Sequence, residues 1–180
     1  MTNYLINPYS RIAGFKSLLA GLIGLLLLSF ASFKSGTHFY GLSNIDFAKD
    51  SRFVFYIFEH LISWFVFAVL AFFFGLSLSK SHVRAIDFLG TSLIAKIPLI
   101  FTPILRFIPA FQSFVFQSFE MYFLIGVYVI SLAWTIALLF NGYKVSSNLK
   151  NNRLIVSFII GLVVSEIISR VIINLLIIKT

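Results

Sequence analysis

Glu166 and Arg170 lie four residues apart inside Leu154–Ile178, a run of 25 residues that is almost unbroken Leu, Ile, Val and Phe. On a helix this spacing puts them on one face, acid ahead of base, and Asn174 continues the stripe. A charge at the centre of an apolar span costs about 2.5–3.5 kcal/mol on insertion scales, so such residues face a bundle interior or a wet cavity. Two chemistries fit. The pair can be a buried polar clamp that fixes helix packing, or part of a proton, ion or head-group site. The candidate partners are Lys96, in a proline-rich apolar stretch, and the adjacent Glu59 and His60. Histidine titrates near neutrality, so His60 suits proton handling; Glu59–His60 also suits a polar pair meeting head groups at the start of a span.

Other chemistries are disfavoured by what the chain lacks. It has no Cys, which excludes disulfides, thiolate catalysis and Cys-based metal sites. His38, His60 and His82 are widely separated, with no helical i,i+4 pair, and no metal site or other cofactor is expected. Glu166-x-x-x-Arg170 is half of the Glu-Glu-x-x-x-Arg signature of intramembrane CAAX-type proteases, but Ser165 stands where the first Glu belongs. The partner His motifs are also missing, since His60 follows Tyr56 and precedes Trp64 at the relevant spacing. The chain is therefore read as non-enzymatic.

Positioning these residues falls to membrane spans. Of the 180 residues, 59% are hydrophobic and only 11% charged, with a mean hydropathy of +1.00; soluble domains carry roughly 25% charged residues. The expected fold is all-α, an integral membrane five-helix bundle forming one domain, with spans near 17–33, 53–78, 86–108, 119–140 and 154–178. The first carries Ser17, Ala20, Gly21 and Gly24, two overlapping small-xxx-small pairs suited to close helix contact. Ala71, Gly75 and Ser79 repeat the pattern in the second, and Ser157, Gly161, Ser165 and Ser169 in the last. Ile86–Gln117 is too long for one straight span and holds Pro98, Pro103 and Pro109, so the third span is expected to be bent or broken. Asn141–Gly142 reads as the stop of the fourth. Residues 34–52 read as the longest loop, without a motif. The last span is expected to form the inner wall of the bundle, facing the bent third.

The net charge of +8 in a soluble chain would suggest nucleic acid. Here the basic residues sit between apolar runs, where they set orientation and meet anionic head groups, so nucleic acid is not an expected partner. With the amino terminus inside, eight Lys and Arg fall on inner segments, Lys96 among them, and five on outer segments, Arg106 among them. This bias places the amino terminus in the cytoplasm. Ser29-Phe30-Ala31 also fits a signal-peptide cleavage site, but the 16-residue polar lead and the early glycines favour a retained first span.

Asn7-Pro8-Tyr9-Ser10-Arg11-Ile12, the Arg84-x-x-Asp87-x-x-Gly90 approach to a span broken at Pro98, and Trp134 before the basic 141–153 loop together resemble the bacterial branch of the Yip domain family. That family is named for eukaryotic membrane proteins that interact with Ypt/Rab GTPases. The resemblance implies five spans with a cytosolic amino terminus in a bacterial cytoplasmic membrane, and no catalytic residues. The chain has no Asp-Leu-Tyr-Gly-Pro stretch and no long amino-terminal region, so the resemblance does not extend to Rab binding. Two functions follow as expectations: transport or lipid handling through a polar interior around Glu166 and Arg170, or a membrane-organising scaffold. The scaffold would hold membrane or cytosolic protein partners, or anionic lipid.

Overall fold

The computed structural model describes residues 7–10, 14–48, 52–112 and 118–177. Arg11, Ile12, Gln117 and Ile178, named above, lie outside the described residues. Among the described residues, five helical spans are long and apolar enough to cross a membrane. They are α1 (Phe15–Ser35), α2 (Phe53–Leu78), a broken third span over Ala85–Leu105, α5 (Phe119–Ser147) and α6 (Asn151–Ile177). The chain is an all-α, multi-pass membrane protein.

The third span breaks where the prolines lie. Helix α3 (Ala85–Ile94) passes into a 3-10 turn at Ile97–Ile100 containing Pro98, then into the short α4 (Phe101–Leu105) containing Pro103. It is the central post of the bundle: 67% of its apolar window is buried, against 39% or less for the others. Its fit against α1 is set by small residues. A Cβ at Gly90 would overlap Ser17 Oγ and come within 2.8 Å of the Leu18 backbone nitrogen. Gly75 of α2 likewise leaves room for the Phe88 ring.

Three expectations need correction. Helix α5 does not stop at Asn141–Gly142 but runs on to Ser147, capped by Asn148 in the left-handed conformation. Gly142 is small because α5 meets Thr91 and Tyr9 there, where a Cβ would lie 2.9 Å from Thr91 Cβ. The last span, α6, is not the wall facing the bent third span. It packs along α2 and meets α5 near their shared link, where Tyr143 donates to Ser157 Oγ and the Phe140 and Tyr143 rings lie against Phe158. Its buried side is the small-residue stripe Ser157, Gly161, Ser165 and Ser169, continued by Ile173.

The largest correction concerns residues 34–52. After Gly36 closes α1 with φ of 64°, the chain turns back into the bundle as a β-hairpin. Strand β1 (Thr37–Phe39) pairs antiparallel with β2 (Ile45–Phe47), Thr37 opposite Phe47 and Phe39 opposite Ile45. All three residues of β1 are buried. Phe39 and Leu42 belong to the same core cluster as Leu28 of α1, Phe67 of α2, Leu99 of the third span and Tyr128 of α5.

Candidate functional site

A hairpin inside a bundle brings backbone N–H and C=O groups to a depth where lipid offers no partner, so protein must supply one for each. Polar side chains of the spans supply several of them. At the base, Arg106 Nη1 donates to the Gly36 carbonyl at 3.1 Å, and its guanidinium lies 4.2 Å from the Phe47 ring centroid. In β1, Glu59 Oε2 accepts from the Phe39 N–H at 3.1 Å, while Glu59 Oε1 accepts from His38 Nδ1 at 2.7 Å. The His38 ring stacks on Tyr56 at 4.3 Å between centroids. On the second strand's side, Tyr56 donates its hydroxyl to the Ala48 carbonyl.

At the tip, Glu166 accepts from the N–H groups of Leu42 at 2.8 Å and Ser43 at 2.9 Å, and from the Ser43 hydroxyl. Tyr128 donates to the Leu42 carbonyl at 2.7 Å. Gly41 makes this approach possible. Its φ is +109°, and a Cβ there would lie 2.6 Å from Glu166 Oε1. Glu166 is 11 residues before Ile177, so the tip reaches about 16 Å along α6 from that end, half the depth of a hydrocarbon core of about 30 Å.

Beside the hairpin lies the buried cation Lys96. Its Nζ donates to the His60 carbonyl at 3.2 Å and to the Ser63 hydroxyl. Among the described residues no carboxylate comes within 4.0 Å of it. The His60 ring meets Ser32 Oγ through Nε2 at 3.3 Å and packs on Phe39. A void of about 10 Å³ lined in part by Leu42, Ser63, Lys96 and Leu139 adjoins this cluster. That is the space of one water molecule.

The structure thus gathers Glu59, His60, Lys96 and Glu166 around the hairpin and leaves Arg170 and Asn174 apart. Both are exposed on the outer side of α6. The expected Glu166–Arg170 ion pair is not formed: the carboxylate turns instead toward the Leu42 and Ser43 N–H groups at the hairpin tip. Sequence reasoning passed over the hairpin itself, and with it His38, Arg106 and Tyr128. A signal was available: Thr37-His38-Phe39 and Ile45-Asp46-Phe47 flank five residues containing Gly41, the pattern of a longer hairpin connection.

Glu166 also borders a lateral cleft of about 270 Å³ between α5 and α6, with Leu132, Ile136, Leu162 and Ile167 on its walls. No protein-family model, curated protein or solved structure matches the chain.

Proposed function

We propose that this is a non-enzymatic scaffold of the Yip type that organises membrane components, and that its polar interior serves as a latch for the hairpin, not as a path for solute. One observation carries the reading. Glu59, Glu166 and Arg106 engage the backbone of the hairpin and its base, Lys96 and His60 are held by groups of α1 and α2, and the space beside Lys96 amounts to about 10 Å³. Five spans and a third span broken at Pro98 support the Yip resemblance. Protein partners and anionic lipid are what such a scaffold would hold. Its place is a bacterial cytoplasmic membrane with the amino terminus inside. Lys96 and Arg106 are buried and leave the loop count, one from each side, so seven inner cations face four outer ones.

The chain has no Cys of its own, so a single introduced thiol tests the interior directly. Ser63→Cys and Leu139→Cys both place a thiol on the small void. In intact vesicles neither is expected to react with a membrane-impermeant maleimide from either side until the protein is denatured. Labelling of both from one aqueous side would replace the latch with a conduction path.

The cleft between α5 and α6 favours a second reading, lipid handling, since its walls are apolar and a carboxylate stands at its edge. That reading predicts that Ile136→Trp, which fills the cleft, stops lipid scrambling in reconstituted vesicles while leaving the fold intact.

A further inference from the structure

Away from the hairpin, at the opposite end of the bundle, two cavities join. The larger, about 970 Å³, sits where the α2–α3 and α5–α6 links meet, and Lys80, Lys150 and Arg153 reach it together with Asn148 and Asn152. The smaller, about 330 Å³, is an apolar groove lined by Phe74, Leu78, Val156 and Ile160. Leu78, Asn152 and Arg153 line both, so the polar chamber continues directly into the groove. Helical spacing explains the alignment. Asn152, Val156 and Ile160 stand four apart on one face of α6, and Phe74 and Leu78 four apart on α2. From Asn152 to Ile160 the groove follows α6 for about 12 Å.

The chamber is uniformly positive. No acidic residue lines it, and among the described residues none of its three cations is paired with a carboxylate. Asp87, the acid nearest in the chain to Lys80, is held by Arg84 through two bonds of 2.8 and 3.1 Å. The two links that form the walls are tied by Asn148 Nδ2 donating to Ser81 Oγ.

We propose that this composite cavity is a binding site for one anionic phospholipid. Its phosphate and anionic head group lie among Lys80, Lys150 and Arg153, and one acyl chain lies along Phe74, Val156 and Ile160. A soluble anion would leave the groove empty, and a zwitterionic lipid would bring an ammonium into a chamber of three cations. An anionic phospholipid alone matches both halves. The inference deepens the scaffold reading by naming a partner. Its failure would leave the labelling of Ser63→Cys and Leu139→Cys unchanged, so the two readings fail separately.

The test is native mass spectrometry of the full chain in mild detergent, titrated with phosphatidylglycerol or phosphatidylcholine of the same acyl length. Phosphatidylglycerol is expected to bind at least tenfold more tightly. Each basic residue near an anionic surface contributes roughly a fivefold factor, so the triple variant Lys80→Gln, Lys150→Gln, Arg153→Gln should weaken that binding by about 100-fold. Lys144→Gln, a cation outside the cavity, should not change it. Ile160→Trp, filling the groove, should weaken phosphatidylglycerol without affecting the head-group preference of what binding remains. Equal binding of the two lipids, or full phosphatidylglycerol binding by a folded triple variant, overturns the proposal. So does inorganic phosphate competing fully while Ile160→Trp has no effect, which would make the chamber a free-anion site.

Discussion

Glu166→Ala separates the two roles open to this carboxylate. Against the hairpin, the loss leaves the Leu42 and Ser43 N–H groups without acceptors. The Leu42 donor is buried and Ser43 is exposed; a buried donor stripped of its partner costs about 1–3 kcal/mol, so stability should fall by about 1–3 kcal/mol. Arg170→Leu should change it by less than about 0.5 kcal/mol, as expected for an exposed side chain with no ion pair among the described residues. Denaturant titration of the purified protein in detergent measures both, and equal losses would restore the helix clamp in place of the latch. Gly41→Ala should match or exceed the Glu166→Ala loss. It forces a methyl group to 2.6 Å from Glu166 Oε1 and places a side chain at a φ of +109°.

Among the elements, the short 3-10 turn Pro8–Ser10 shows how the lead is pinned to the bundle. Tyr9 is buried and donates its hydroxyl to the Thr91 carbonyl at 3.1 Å, beside Gly142 of α5. Burial raises the Tyr9 hydroxyl above the ordinary tyrosine range. The folded protein therefore keeps a proton that the unfolded chain has released above about pH 10, and stability contributed by this group is lost as pH rises beyond that value. Tyr9→Phe should be less stable than the parent at pH 8 and should lose less between pH 8 and pH 11, read from unfolding midpoints at the two pH values. Element placement was largely legible. The prolines marked the break in the third span because a missing N–H acts locally, and Ser17–Gly21, Ala71–Gly75 and the α6 stripe marked packed faces because helical period is local too, whereas Ala20 is exposed and Ser79 lies past the end of α2. The hairpin was not legible as an interior element. Its two strands are three residues each, its composition is that of an outer loop, and its tip is held by a residue 124 positions away. A charge four residues from Glu166 was the visible partner, and the true one was backbone.

At the scale of the whole molecule, the two ends of the bundle differ. One end is filled by its own chain, with Ser43 at the tip beside the α5–α6 cleft. The other carries the basic chamber between two links. A nitroxide attached at Ser43→Cys should accordingly sit at membrane depth, relaxed more strongly by oxygen than by a water-soluble nickel chelate. One at Lys150→Cys should show the reverse order. A water-like response at Ser43 would place the hairpin outside the hydrocarbon and remove the need for its side-chain acceptors.

The hairpin's dependence on Glu166 also bears on how the protein is made. The turn leaves the ribosome after the first span, but its acceptor is synthesised 124 residues later. At about 5–20 residues per second, that gap lasts roughly 6–25 seconds. Through that interval the strands cannot settle at their final depth without stranded donors, so they wait at the interface or in the shelter of the insertion machinery. The last span then does more than complete the bundle. Its arrival is the event that lets the turn sink, and a chain released before it would carry an unsecured polar segment that quality-control proteases can recognise.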